Sequence, residues 1–92
     1  MKIEDVTRII KKQVAQKGYV LEERKSVSTD SWYFKIYSGD CSLLFRISDH
    51  KTKSDIITLR LDKKTTQKTV EGFIINRCKD LSDRKLKMLL GL

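Results

Sequence analysis

Tyr33, Lys35, Tyr37, Arg46, Thr58 and Arg60 fall at alternating positions in two stretches rich in apolar residues. Rings interleaved with cations suit single-stranded nucleic acid, because bases stack on the rings while the cations hold phosphates. A second group is purely cationic. Lys63, Lys64 and Lys68 sit ahead of a helical pattern, and Lys51 and Lys53 lie in a polar loop upstream. A helix N-terminus adds its own N–H donors, so such a cluster can take phosphate. Each group also has a plainer reading. Tyr33 and Arg46 can pair as a cation–π contact between strands. Tyr33, Tyr37, Leu44 and Ile56 can form an apolar patch for a homodimer or another protein. The lysines can be a solvated face that keeps a small protein soluble.

Catalytic chemistry finds little support. The single histidine, His50, lies in a polar loop. A nucleophile–base pair would need Cys41, Cys78 or a serine beside it, with a third group to orient the base. Asp49 is its neighbour in sequence, but adjacent side chains at a strand end point in different directions. Asp30, Asp40, Asp49, Asp55 and Asp62 all stand near expected strand ends. Turn formation accounts for each, since Asp bonds its own local backbone. The four glycines are scattered at 18, 39, 72 and 91, so no glycine-rich phosphate loop exists. Cys41 and Cys78 belong to no Cys-x-x-Cys or Cys/His cluster, which leaves a zinc site without ligands. Both fall on apolar faces and read as small buried hydrophobes. The expectation is therefore no catalytic residue, no metal and no cofactor.

The element that must position the rings and cations is a hairpin. Ser31 to Asp49 reads as two alternating runs around Gly39-Asp40. Glycine supplies the positive φ that a type II′ turn needs at its first central position. Ser38 then faces Cys41, Ile36 faces Leu43, Phe34 faces Phe45 and Trp32 faces Ile47. Tyr33 with Arg46, Lys35 with Leu44, Tyr37 with Ser42 and Ser31 with Ser48 make up the other side. A slip of one residue would turn the apolar side to solvent, so the pattern pins the register.

Around that hairpin, residues 3 to 17 read as an amphipathic helix with Ile3, Val6, Ile10 and Val14 at helical spacing. Glu4 and Asp5 suit its positive end, and Lys11, Lys12 and Lys17 its negative end. Glu4 and Arg8 stand four apart, and Gly18 fits a left-handed stop. Tyr19 to Val27 reads as an edge strand, its charged middle discouraging pairing with other molecules. Ser28 to Ser31 makes a turn. Residues 49 to 54 form a polar loop, and Asp55 to Leu61 a fourth strand with Ile57, Leu59 and Leu61 on the core side. A last helix follows, capped by Thr65 or Thr66, with Val70, Phe73, Ile74, Cys78 and Leu81 as its apolar stripe. Ser82-Asp83 can open a fresh short helix, or the helix can run on through Leu89, which brings Lys85 near the stripe. The break near Ser82 is the favoured expectation. Helix, four strands and helix with short connections imply an α+β fold, an antiparallel meander with both helices on one face.

Ninety-two residues fit one domain, so residues 1–92 are read as a single unit. Proline is absent and 39% of residues are apolar, enough for one core. The net charge is +8 and the isoelectric point near 9.7, which favours anionic partners, nucleic acid first. Residues 1–28 carry seven basic and four acidic groups, residues 63–92 eight and three, and residues 29–62 five of each. The excess positive charge therefore rides on the helices. Asp80 with Arg84 and Asp83 with Lys87 are spaced to pair within the last one. No apolar run approaches the roughly 20 residues of a membrane span. The opening Met-Lys-Ile-Glu-Asp-Val is too acidic for a secretion signal, and the expected location is the cytoplasm.

Two resemblances bear on function. Ser31-Trp32-Tyr33-Phe34 followed by Arg46-Ile47-Ser48-Asp49-His50 resembles a phrase in small phage and mobile-element proteins of unassigned role. It covers about a fifth of the chain. It implies an accessory protein, a class that includes nucleic-acid binders and inhibitors of host defence proteins. In layout, with Lys63 to Lys68 before the last helix, the chain also resembles the double-stranded RNA-binding domain. It departs from that family in having four strands and Val70-Glu71-Gly72-Phe73 in place of an alanine-rich helix.

The combined expectation is a non-enzymatic nucleic-acid binder that contacts mainly phosphates with little sequence discrimination. The alternative is a protein-interaction module, either a homodimer or an inhibitor of a host defence protein.

Overall fold

Alternation in the middle of the chain folds as the pattern dictates. A computed structural model describes residues 1–25, 31–49 and 56–91. Strands β2 (Ser31–Ser38) and β3 (Cys41–Ser48) pair antiparallel, with Trp32 opposite Ile47, Phe34 opposite Phe45, Ile36 opposite Leu43 and Ser38 opposite Cys41. Gly39 has φ +61° and no non-glycine residue among the described ones has positive φ, so the turn takes its positive-φ step at glycine. β1 (Val20–Lys25) joins the free edge of β2 antiparallel, and its outer residues are charged as an edge requires.

β4 (Ile57–Arg60) completes the sheet in the order β1-β2-β3-β4, and here the expected meander fails. β4 runs parallel to β3, with Phe45 opposite Ile57 and Ser48 opposite Arg60, so the sheet is mixed. A parallel pair normally needs a crossover of a dozen residues or more. Only four residue pairs overlap here. Four pairs span three steps, so the chain has to travel back only about 10 Å along the strand direction between Ser48 and Ile57, at about 3.3 Å per residue. Side-chain parity is indifferent to strand direction. Leu59 and Leu61 still pack on the core, and Thr58 and Arg60 still fall on the Arg46 side.

α1 (Ile3–Gln16) buries Val6, Ile10 and Val14 and ends at Gly18, φ +72°. Arg8 pairs with Asp5, three residues back at 3.2 Å, and not with Glu4. α2 spans Gln67–Leu90 without interruption, so the expected break near Ser82 does not occur. Ser82 is not a cap, because its hydroxyl bonds the Tyr19 hydroxyl. Lys85, the residue that seemed to spoil the stripe, reaches over apolar surface to donate to Ser38 Oγ at 3.0 Å. The pairs expected within α2 are also replaced. Asp80 binds Arg77 at 3.0 Å, and Arg84 donates to the Ser42 carbonyl at 2.7 Å. Thr66 is the N-cap, accepting from the Thr69 N–H at 3.2 Å, and Gly91 is the left-handed C-cap at φ +72°.

One buried cluster joins Val6, Ile10 and Val14 of α1, Val70, Ile74, Cys78 and Leu81 of α2, and the apolar side of the hairpin. Phe34 stacks on Phe45 at 5.4 Å, and Phe73 meets Phe45 edge-on at 5.6 Å. The two helices run in the same direction. Met1 and Ile3 lie with Asp62 and Lys63 at one end, while Tyr19, just past α1, bonds Ser82 of α2 further along.

Candidate nucleic-acid interface

The residues singled out from sequence separate into a sheet surface and a helix-end surface. On the sheet, strand register places Tyr33, Lys35, Tyr37, Arg46, Thr58 and Arg60 on one side. β1 contributes Val20, Glu22 and Arg24 to that side, opposite Tyr37, Lys35 and Tyr33. Glu22 and Arg24 were not foreseen as members, because the register of a charged edge strand cannot be read without its partner.

Those neighbours change what the side can do. The Tyr37 hydroxyl donates to the Glu22 carboxylate at 3.0 Å, and the Lys35 ammonium stands 5.3 Å from the Tyr37 ring centroid. One ring and one cation are thus held by local partners, beside a negative charge. Tyr33 is half-buried in a shallow hollow with Glu22, Arg24, Lys35 and the exposed Leu44.

Arg46 is not a surface cation. It is only 3% exposed, and its guanidinium donates to Ser31 Oγ at 2.9 Å and Ser48 Oγ at 3.1 Å. Ser31 and Ser48 are themselves buried and bonded to each other at 3.1 Å. Buried hydroxyls and a buried charge each demand partners, and these three side chains are among one another's partners. Two serines directly opposite one another, with an arginine two residues from one of them, was the available signal. Arg60 on the neighbouring strand is exposed.

The helix-end surface is built from the turn before α2. The Asp62 carboxylate accepts the Lys64 N–H at 2.8 Å and the Thr65 hydroxyl at 3.2 Å, and the Thr65 hydroxyl accepts the Asp62 N–H at 2.9 Å. The Lys64 backbone bond, then the Thr65 hydroxyl bond, hold the Asp62 carboxyl below its usual range. This locked turn leaves Lys63, Lys64 and Lys68 exposed, with no ion pair among the described residues. α1 carries Glu4 and Asp5 in its first turn, whereas α2 carries no acid in its own. The positive end of the α2 dipole is therefore not offset within that helix. Thr66 satisfies the Thr69 N–H, and the Gln67 and Lys68 N–H groups remain directed out of the helix start.

Lys51, Lys53 and His50 lie outside the described residues, as do Asp30 and Asp55. Among the described residues no group of three or more His, Cys, Asp and Glu is placed to hold a metal. No described helix is long and apolar enough to cross a membrane. Cys41 and Cys78 are buried and free, and burial raises the Cys78 thiol pKa, partly opposed by Lys17. Comparison with protein-family models, curated proteins and solved structures returns no match for this chain.

Proposed function

We propose that this protein is a non-enzymatic nucleic-acid-binding accessory protein that grips phosphates with the N-terminal end of α2. The observation that carries this reading is the Asp62–Thr66 turn. It presents Lys63, Lys64 and Lys68 around a helix start with two outward N–H groups and no acid in its first turn. Charge and geometry there both favour an anion. Neither reads a base, so sequence discrimination is low. Arg60 on the adjoining strand extends the cationic surface, and Tyr33 offers a ring for stacking. Arg46 supports the sheet from inside. The likeness of the hairpin segment to phage and mobile-element proteins supports an accessory role. The helices pack on the Phe34 side of the sheet, and on the other side only the stretch around Tyr33, Lys35, Tyr37 and Leu44, away from the buried Ser31, Arg46 and Ser48, is left for a partner.

The test is fluorescence anisotropy with labelled single- and double-stranded DNA and RNA across a salt series. Affinity should fall linearly on logarithmic axes as counterions are released. Reversing Lys63, Lys64 and Lys68 to glutamate should lower the slope by about three, one for each lost phosphate contact. Failure to bind every oligonucleotide at low salt defeats the reading.

One observation favours a second reading for the sheet. Glu22 and exposed Leu44 lie between the rings, a mixture better suited to a protein surface than to phosphate. A protein target, such as a host defence protein, would then dock there. Tyr37→Asp should in that case leave oligonucleotide affinity unchanged.

A further inference from the structure

Trp32, the single tryptophan, packs at the rim of the core. It is half-buried, with Lys25 opposite it on β1 and Ile47 opposite it on β3. Two hollows meet there. One, of about 700 Å³, lies between α1 and β1, and the other, of about 350 Å³, opens beside the turn before α2. Trp32 and Ile3 line both and form their common wall.

The first hollow is cationic. Arg8 and Lys11 reach it from one face of α1, Lys25 from the helix side of β1, and Arg24 from the strand's other side at the rim. Glu4 and Glu23 are its acids. Lys11 pairs with Glu23 at 3.6 Å, and Arg8 with Asp5 at 3.2 Å. Arg24 and Lys25 are exposed and have no ion pair with a described residue. The Lys25 ammonium stands 5.7 Å from the Trp32 ring centroid. An exposed cation–π contact is weaker than base stacking, so a base can take the ring and leave that ammonium for phosphate. Lys63, exposed and without an ion pair among the described residues, lines the second hollow. Asp49 and Asp62 line it too, and Asp62 is already engaged by the Lys64 N–H and the Thr65 hydroxyl. Trp32 is thus flanked by uncommitted cations on both sides.

We propose that Trp32 is the base platform for a single-stranded nucleic acid whose backbone passes from Lys63, over Trp32, to Lys25 and Arg24. The inference rests on the phosphate-binding reading of the α2 start and names the strand form that site takes. Cations on both sides of one ring call for phosphates on both sides of one base. A chain has these and a mononucleotide does not. A duplex would first have to give up its own stacking to lay a base on Trp32. Every base has a face to stack, so the platform is tolerant of sequence.

Because Trp32 is the only tryptophan, its emission reports on the platform alone. The full chain is titrated at low salt with a labelled oligothymidylate, following anisotropy and Trp32 emission together. The expected result is quenching that saturates with the anisotropy. A duplex of the same length should bind without quenching, and thymidine monophosphate should not quench at the concentration that saturates the oligomer. Trp32→Leu should weaken single-strand binding about 5- to 150-fold, with circular dichroism retained. Should that variant not fold, the exposed pair Arg24→Ala and Lys25→Ala decides. Together they should lower the single-strand salt slope by about two and leave duplex binding unchanged. Binding without quenching, equal quenching by the mononucleotide, or a single-strand slope unmoved by the double variant overturns the inference and leaves the α2 phosphate grip standing. Failure to bind any oligonucleotide defeats both.

Discussion

The two ends of α2 are built in opposite ways. The first turn is capped by a threonine side chain, carries no acid and is ringed by Lys63, Lys64 and Lys68. The last turn is closed by a left-handed glycine and leaves Leu86, Leu89 and Leu90 in solvent. One end is organised by charge and backbone donors, the other by apolar area. If the first turn takes phosphate as proposed, salt should weaken that contact by screening. A single helix of this length thus holds two chemically different surfaces apart while one core anchors both.

The largest expected effect tests that shared anchor. Phe45 is fully buried between Phe34 and Phe73, and Phe45→Ala should cost about 3–5 kcal/mol in urea unfolding. Oligonucleotide binding should then fail with it. If binding survives the loss of fold intact, the cationic end of α2 does not rest on that core.

Next in size is Arg46→Leu. It leaves the buried Ser31 and Ser48 hydroxyls short of a donor, at a cost of about 1–3 kcal/mol. Arg60→Ala, one strand away and exposed, should leave stability within about 0.5 kcal/mol of wild type and weaken oligonucleotide binding instead. Denaturation and anisotropy on the two variants separate a supporting arginine from a contacting one. An Arg46→Leu protein of unchanged stability would count against the cluster as described.

These two arginines also show what could be read in advance. Alternation decided every pair across the hairpin and which way each β4 residue faces, because a period of two holds whatever the strand direction; it did not decide burial, since Ile57, expected on the core side, is 41% exposed. It could not decide that direction. The polar residues 49–54 read as a loop between antiparallel strands, yet a short connection also suffices for a parallel return over four pairs. The break assigned to Ser82 came from reading a serine as a cap, when its hydroxyl had a distant partner in Tyr19. The cationic side was legible as composition, but not as function. Which arginine is inside depends on two serines brought opposite each other, and Glu22 joins the rings only once β1 has chosen its register. Lys63, Lys64 and Lys68 were legible because their turn is local, set by Asp62, Thr65 and Thr66 within five residues.

Smaller effects probe each end separately. Thr66→Ala removes the acceptor for the Thr69 N–H and should cost about 1 kcal/mol. Gly91→Ala forces a side chain into φ +72° and should cost about 1–2 kcal/mol, within the last turn only. Amide exchange should quicken near Thr69 in the first variant and near Leu90 in the second. Fraying of both ends in either variant would mean that α2 melts as one unit and that its ends are not independent.

The smallest effect is an acid titration confined to the cationic end. Asp62 accepts the Lys64 N–H first and the Thr65 hydroxyl second; desolvation pulls the other way, and the Thr65 N–H and Arg60 add to the lowering. Its folded pKa therefore lies below the ordinary Asp value of about 3.9. A depressed carboxyl contributes stability that is complete above the unfolded pKa and is lost as pH falls through the folded one, so the window lies in acid. At neutral pH the turn is fully formed and Lys63 and Lys64 are held in place. As pH drops through that window, the Lys64 and Thr65 contacts weaken, and amide shifts from Lys63 to Thr69 should move with the Asp62 carboxyl. The Leu86–Leu90 shifts should not follow that midpoint. In Asp62→Asn the acid transition at Lys63–Thr69 should disappear, while the far end of α2 is unchanged. An Asp62 midpoint at or above the ordinary value would show that the turn is not held by that carboxylate, and the placement of the lysines would lose its physical cause.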